Sequence, residues 1–445
     1  MSKALGTGRT ALVVGCGGDQ DARMATGRSR WGARASRTLH APEGQSVAFV
    51  ELFFDLVFVF AVTQVTTVTA EHLDLVGVGR AVLIFWLVWW AWTQFTWTLN
   101  PADTRHVVVQ VFTLVATAAA FVMASSVSLA FGDEALWFAI PYVAVRLLGL
   151  GLQLRIANAG DPDGAPRSSR HVIAWVGMST LGLVAVLAGA LVDTPARAWI
   201  WVGAIVLDLL AAAIAGSSDD PWDITAGHLA ERHGLFVIIA IGESLIIAGT
   251  AAADTSRSLD LIGLAGAGLV VVGLLWWSYF AWFKDDLEAA FAETAPAERG
   301  AFARDAYSLA HFPLVGGIVG FAIAADLMVL HPTDSVDGPT LAALGAGTSL
   351  FMGATVFSYW RLRRQVLLPR LAITLAASAA LTLVVGTRPV VPLTIVAAGL
   401  AAVAFAERDR LPGLNGFGTG SRGAPAPRGA SQPQEPPSSL NDHSG

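Results

Sequence analysis

The sequence predicts an all-α, polytopic integral membrane protein of about twelve transmembrane helices. Apolar residues make up 54% of its 445 residues and charged residues only 14%, which is too little charge to cover the surface of a soluble protein of this length. Apolar runs of about 20 residues recur from Phe49 onward, and each can cross a hydrocarbon core of roughly 30 Å. Lysine and arginine collect in alternate loops, as the positive-inside rule requires.

The apolar runs follow one another with short loops between them. Each must be helical, because an open strand would leave backbone N–H and C=O groups unpaired in lipid. The twelve predicted spans are 49–69, 76–98, 105–131, 135–157, 171–192, 197–215, 233–252, 259–282, 306–329, 339–358, 367–386 and 389–406.

Both ends of the chain are predicted to be disordered. Residues 1–48 are polar and basic, and residues 411–445 are rich in Pro, Gly and Ser. If the N terminus is cytoplasmic, most of the 28 lysine and arginine residues fall in cytoplasmic segments. An even number of spans then places both termini in the cytoplasm.

The two halves of the membrane region resemble each other. Val50-Glu51 opens the first span as Ala230-Glu231 opens the seventh. Leu87-Val88-Trp89-Trp90 in the second span is matched by Leu274-Leu275-Trp276-Trp277 in the eighth. Six helices per unit is an even number, so tandem units would insert the same way up, related by an axis along the membrane normal. Chance similarity between Trp-rich apolar helices is the alternative. The predicted units are 49–230 and 231–410.

Charged side chains within the apolar runs are the first candidates for function. A charge at the bilayer centre costs on the order of 3 kcal/mol, so it should face the bundle interior and have a partner. Arg146, Asp208 and Glu243 lie at similar depths in the fourth, sixth and seventh spans. We expect them to form one network in which an acid gains and loses a proton, or binds a cation, beside Arg146. A static ion pair that only fixes helix packing is the alternative.

Further candidates for binding flank these positions. Ser244 places a hydroxyl next to Glu243 in the sequence. Glu51 and Asp55 are four residues apart and share one face of the first span. Asp55 is the deeper of the two and is a candidate entry site for an ion or proton, whereas a helix N-terminus explains Glu51 equally well. Gln64 either continues this polar stripe or joins two helices by a hydrogen bond.

No metal or cofactor site is predicted. His228, Glu231 and His233 have side chains that bind zinc, but their spacing is not that of a helical His-Glu-x-x-His site, and solvated loop histidines are commoner. Cys16 is the single cysteine, so no disulfide can form within the chain. The loops contain no Walker-type phosphate loop, nucleophile elbow or nucleotide fingerprint.

Small residues and a proline mark the ninth span. Gly316 and Gly320 have the GxxxG spacing of closely packed membrane helices, and Pro313 lies just before them. Close approach of two helices is one interpretation of this pattern. A helix broken at a binding site is the other.

Two segments carry a family resemblance. They are Glu51-Leu-Phe-Phe-Asp-Leu-Val-Phe-Val-Phe-Ala-Val-Thr-Gln64 and Glu231-Arg-His-Gly-Leu-Phe-Val-Ile-Ile-Ala-Ile-Gly-Glu-Ser244. They resemble the two signature stretches of the bacterial low temperature requirement protein A family, and the similarity extends over about 49–406. The resemblance implies a multi-pass protein of the bacterial inner membrane linked to growth in the cold. It implies no substrate and no catalytic mechanism.

These observations together predict a secondary carrier of a small solute or ion, coupled to protons, rather than an enzyme. Its expected partners are membrane lipids and the transported species, and not nucleic acid. One alternative is a membrane enzyme acting on lipids or lipid-linked substrates through Glu51, His228, Glu231 and His233. The other is a non-catalytic partner of a membrane complex.

Overall fold

A computed structural model of the chain describes residues 39–42, 44–159, 170–216 and 224–411. In these ranges the regular structure is helical, apart from one isolated β-bridge between His40 and Ala102. Two tails are predicted to be disordered. Residues 1–38 of the first and residues 412–445 of the second lie outside the described residues. The last part of the N-terminal segment runs along the loop after the second helix, where the Ala41 N–H donates to the Pro101 carbonyl at 2.9 Å.

Fourteen α-helices make up the described part of the chain. They are α1 Phe49–Glu71, α2 Leu75–Leu99, α3 Val107–Ser125, α4 Leu136–Asn158, α5 Arg170–Ala190, α6 Ala196–Gly216, α7 Ala226–Asp254, α8 Leu259–Phe280, α9 Phe283–Ala292, α10 Pro296–Phe302, α11 Ala310–Leu330, α12 Gly338–Arg363, α13 Leu368–Leu381 and α14 Val390–Ala406. A π-helical segment, Ala303–Leu309, joins α10 to α11 without a break.

The helices identify a multi-pass membrane protein. Nine helical segments in the described ranges are long and apolar enough to cross a membrane. Three shorter apolar helices, Trp175–Ala190, Leu368–Leu381 and Val390–Ala406, coincide with the fifth, eleventh and twelfth predicted spans. Large apolar side chains cover the outer surface, including Leu75 at 93% and Leu259 at 88% exposure. Such a surface is stable against lipid and not against water.

Several helices begin with a side-chain N-cap from the short loop that precedes them. Asp74 precedes α2 and accepts hydrogen bonds from the backbone N–H groups of Val76 at 2.9 Å and Gly77 at 2.8 Å. Asp337 caps α12 through the Thr340 N–H, also at 2.9 Å. These oxygens satisfy N–H groups that have no partner within their own helix.

Helix α1 lies near the centre of the bundle and contacts α2, α3, α7 and α11. In the first half, α3 packs on α4 and α5 packs on α6. In the second half, α11 packs on α12, while α14 packs on both α8 and α13. The seam between α1 and α7 is therefore an interface between the two halves of the chain.

Helices α11 and α12 approach each other closely. A Cβ added to Gly317 would lie 2.5 Å from the Gly347 carbonyl oxygen, and one added to Gly320 would lie 2.9 Å from the Gly347 Cα. Gly316 instead faces Phe85 of α2. Close approach is thus the correct interpretation of the glycine pattern, although it uses Gly317 in place of Gly316. Pro313 does not break α11, which is continuous through it.

Candidate functional site

Four charged or titratable side chains meet where α1 and α7 begin, and we call them the α1–α7 charge cluster: Glu51, Asp55, His228 and Arg232. His228 Nε2 lies 3.2 Å from Glu51 Oε1, and Arg232 Nη1 lies 3.4 Å from Glu51 Oε2. Arg232 Nη2 forms an ion pair with Asp55 Oδ1. All four side chains are buried. The cluster forms because each helix contributes two residues four positions apart, which share a face, and the two helices run side by side.

Helix α2 holds the charge cluster from a third side. Trp92 Nε1 donates to Asp55 Oδ1 at 2.7 Å, and the Trp92 ring centroid lies 5.8 Å from the Arg232 guanidinium carbon. Asn100 Nδ2 lies 3.4 Å from His228 Nδ1. The cluster is therefore positioned by side chains that are themselves buried and bonded.

The charges of this cluster do not balance without a proton. Two carboxylates, Glu51 and Asp55, face one arginine that is always charged and one histidine that is charged only when protonated. The net charge is −1 with His228 neutral and zero once one group in the cluster takes up a proton. Because a buried net charge is unfavourable, the arrangement favours binding of one proton or one cation.

Arg146 and Asp208 form a separate, fully bonded ion pair in the first half of the chain. Arg146 Nη2 lies 2.8 Å from Asp208 Oδ1, and Nη1 lies 3.0 Å from Oδ2. Arg146 Nε donates to Gln94 Oε1 at 2.8 Å, and Nη1 donates to the Tyr142 hydroxyl at 2.7 Å. The pair is neutral and joins α2, α4 and α6. This arrangement fits the static ion pair better than a site that changes its charge.

Glu243 does not join Arg146 and Asp208, so the expected network of three residues is wrong in this respect. Its carboxylate accepts a hydrogen bond from Thr63 of α1, with Oγ1 to Oε1 at 2.9 Å. The physical reason lies in the packing, since α7 contacts α1, α2, α8, α9, α11 and the π-helical segment. Similar depth in the membrane was not enough to make these residues neighbours.

The Ser244 hydroxyl is directed away from the carboxylate of Glu243. It donates to the Ile241 carbonyl of its own helix at 2.7 Å. Neighbouring residues of an α-helix point about 100° apart, so adjacency in sequence does not bring these two side chains together. Gln64 is half-buried, and its amide has no hydrogen-bond partner among residues 39–42, 44–159, 170–216 and 224–411.

The histidines expected in a solvated loop are buried in α7. The helix begins at Ala226, before the predicted span, and His228 and His233 lie on its inner face. Glu231 is half-buried, and its Oε2 accepts from the Val47 N–H at 3.3 Å. No group of three or more potential metal-binding side chains occurs among the described residues.

Neither Arg232 nor Trp92 is among the site residues that the sequence predicts. The signal available for Arg232 was its spacing of four residues from His228, the same spacing that joins Glu51 to Asp55. Nothing in the pattern of α2 distinguishes Trp92 from its neighbouring tryptophans.

A third buried ion pair closes the second half of the chain. Arg370 lies at the start of α13. Its Nε lies 2.9 Å from Glu407 Oε1, and its Nη2 lies 2.5 Å from Glu407 Oε2. It also donates to Thr355 Oγ1 at 2.8 Å and to the Ser278 carbonyl at 3.0 Å. The Arg370 side chain is buried.

Comparison with known proteins finds one matching family and one similar protein. The profile of the bacterial low temperature requirement A proteins matches residues 46–405. The chain is also 29% identical over 361 residues to an uncharacterized protein of Rhizobium meliloti (strain 1021), a match covering 78% of this chain and 84% of that protein. No solved structure matches the chain.

Proposed function

The chain belongs to the bacterial low temperature requirement A family, and from this premise we propose that it is a proton-coupled secondary carrier of a small solute or ion. The observation that carries the proposal is the unbalanced charge of the α1–α7 charge cluster. Two buried carboxylates beside one arginine have room for one exchangeable proton or cation, which is the chemistry that a coupled carrier needs.

The proposed architecture is twelve spans in the inner membrane, arranged as a six-plus-six tandem repeat with both termini cytoplasmic. The helix contacts support the repeat when α11 to α14 are taken as spans nine to twelve. Helix α1 contacts α2 and α3, and its counterpart α7 contacts α8 and α11. Helix α2 contacts α6, and its counterpart α8 contacts α14. Helix α5 contacts α4 and α6 as α13 contacts α12 and α14.

Reciprocal contacts across the α1–α7 seam further support the repeat. Glu51 and Glu231 stand at equivalent positions of the two units. Glu51 contacts His228, just before Glu231, and Glu231 accepts from Val47, just before Glu51. Contacts of this kind are expected about a two-fold axis. Carriers built from repeats bind their substrates near the bilayer midplane where the repeats meet, and the charge cluster lies on this interface at the starts of α1 and α7.

Burial of the charge cluster argues against the alternative of a membrane enzyme. Such an enzyme would present Glu51, His228 and His233 to lipid headgroups. These three side chains are instead buried among α1, α2 and α7. We therefore propose that they act inside the bundle and not on the bilayer surface.

The test is proton movement in vesicles that contain the purified protein. Proteoliposomes with a trapped pH dye are given a pH gradient, and Na⁺, K⁺ or Mg²⁺ is then added outside. We expect at least one cation to collapse the gradient faster with the wild type than with Asp55→Asn. Asp260→Asn is the matched control, because it removes an acid from an exposed pair with Arg388 at 3.2 Å. Equal rates for wild type, Asp55→Asn and protein-free vesicles with every cation would overturn the proposal.

A further inference from the structure

Two buried polar atoms beside the charge cluster, on neighbouring side chains, lack a hydrogen-bond partner within the described part of the chain. His233 Nδ1 donates to the Leu229 carbonyl at 2.9 Å, so in the neutral ring Nε2 is a hydrogen-bond acceptor. Neither His233 Nε2 nor the Tyr307 hydroxyl has a hydrogen-bond partner within the described part of the chain. The exposure of the two residues is 0% and 1%, and their ring centroids are 5.3 Å apart. One buried acceptor and one buried donor thus belong to two rings that contact each other.

Aromatic rings pack around His233. The Trp92 ring centroid lies 5.0 Å from that of His233, and the His311 centroid lies at the same distance on another side. His311 is already bonded, since its Nε2 lies 2.8 Å from the Tyr279 hydroxyl. These rings therefore leave His233 Nε2 and the Tyr307 hydroxyl to be satisfied by something else.

This pair of rings adjoins the charge cluster. Trp92 contacts His233 with its ring and donates to Asp55 through Nε1 at 2.7 Å. Arg232 directly precedes His233 on α7. Asp55 Oδ2 and Arg232 Nε are also buried without a hydrogen-bond partner among the described residues. Unpartnered polar atoms therefore continue from Asp55 to Tyr307 across α1, α7 and the π-helical segment.

Backbone geometry places Tyr307 at this position. It lies in the π-helical segment Ala303–Leu309, whose wide turns release carbonyl groups from the regular ladder. The Ala306 carbonyl accepts from Ser358 Oγ, and the Ser308 carbonyl accepts from Trp89 Nε1, both at 2.8 Å. Side chains of two other helices thus hold a segment of a type that is frequent at functional sites.

We propose that His233, Tyr307, Asp55 and Arg232 bind a short chain of ordered water inside the bundle. Buried polar groups without protein partners are the usual ligands of internal water, which makes two to four hydrogen bonds to them. A water bonded to both the Tyr307 hydroxyl and His233 Nε2 satisfies both atoms at once. A second water reaches Asp55 Oδ2 and Arg232 Nε in the same way.

In the carrier proposed above, this water relays a proton. The carboxylic acid of Asp55 gives its proton to the first water, the first water gives a proton to the second, and the second gives a proton to His233 Nε2. Asp55 becomes a carboxylate, His233 becomes an imidazolium, and the waters are unchanged in number and charge. This step rests on the proposed function, whereas the water site itself does not.

X-ray radiolytic labelling tests the water site directly. A synchrotron pulse converts bound water to hydroxyl radicals, which oxidise the nearest side chains before the protein can rearrange. We expect Tyr307 and Trp92 to be labelled several times faster than Trp201. Trp201 is the matched control, because it is equally buried and its Nε1 is bonded to the Val186 carbonyl at 3.1 Å. Labelling of Tyr307 and Trp92 as slow as that of Trp201 would overturn the proposal.

Two tyrosine variants provide a second test. Tyr307→Phe should slow the labelling of Trp92 and lower the thermal midpoint, because a water loses one partner. If the hydroxyl were simply unsatisfied in a dry core, its removal would raise the midpoint and leave labelling unchanged, and that result would contradict the water site. Tyr279→Phe removes a hydroxyl that is bonded to His311 and should leave the labelling of Trp92 as it is. Rapid labelling without proton movement in vesicles would overturn the carrier function and leave the water site standing.

Discussion

Thr63 and Glu243 are 180 positions apart in the sequence, and their side chains are hydrogen-bonded at 2.9 Å. The same offset of 180 relates Glu51 to Glu231 at the starts of α1 and α7. Equivalent positions of the two proposed units therefore contact each other at Thr63 and Glu243, about 18 Å along the two helices from Glu51 and Glu231 at a rise of 1.5 Å per residue. At this position the first unit has Thr63 and the second has Glu243, so the pair contains one ionisable side chain.

Substitution of Glu243 separates its charge from its hydrogen bond. In Glu243→Gln the amide oxygen still accepts from Thr63, so we expect the protein to fold with an unchanged thermal midpoint. Proton movement in dye-loaded vesicles should nevertheless fall strongly, because glutamine cannot take up or release a proton. Thr63→Val is the companion variant, which removes the bond and keeps the carboxylate. Unchanged coupling in Glu243→Gln would exclude Glu243 from the proton path.

Disruption of the Arg146–Asp208 pair should affect folding. Asp208→Asn leaves the buried guanidinium without its counter-charge, and we expect a loss of about 3–5 kcal/mol in unfolding free energy. Replacing both residues, as in Arg146→Met with Asp208→Leu, should recover much of that loss, because no buried charge remains. Thermal unfolding of the purified variants measures both effects. A double variant with normal stability and no proton movement would show that the pair has a role in transport.

The glycine contact between α11 and α12 can be tested on one helix. Gly347→Ala would place a Cβ 2.7 Å from the Phe321 backbone nitrogen, and we expect a loss of roughly 1–3 kcal/mol. Gly353→Ala on the same helix meets nothing within 4 Å and should be neutral or slightly stabilising, because alanine is the better helix former. Equal thermal midpoints for the two variants would contradict the close approach.

The cap of α2 should depend on pH. Hydrogen bonds from the Gly77 and Val76 N–H groups lower the pKa of Asp74 below its ordinary value of 3.8. A folded pKa below the unfolded one means that the carboxylate stabilises α2 above the unfolded pKa and loses this effect as pH falls through the folded value. Asp74→Asn keeps a capping oxygen without the charge. Relative to the intrinsic exchange rate at each pH, the protection of the Val76 and Gly77 amides should therefore fall in acid for the wild type and much less for the variant.

The sequence was sufficient for the features that depend on local hydrophobicity. Each predicted span overlaps a helix, since apolar length alone determines where a chain can cross lipid. Pairing of Arg146 with Asp208 could also be anticipated, because a buried charge needs a counter-charge and few are available. Whether either residue transports anything stays a prediction.

The remaining features depend on which helices become neighbours. Arg232 adjoins the start of an apolar run, where arginine is an ordinary topological signal. Its burial is determined by Asp55, which is 177 positions away. Glu243 was assigned to the wrong partners for the same reason, because depth is readable from the sequence and azimuth around the bundle is not. The π-helical segment that positions Tyr307 has no simple sequence marker beyond the nearby Pro313.

The ion pair between Arg370 and Glu407 has a practical consequence for truncation. Glu407 lies directly after α14, so a protein cut at Ala406 would keep every apolar helix and still lose the counter-charge of a buried guanidinium. Such a truncation is expected to assemble poorly despite its intact hydropathy profile. Affinity tags and reporter fusions should therefore be attached beyond residue 411, where they leave this terminal clasp intact.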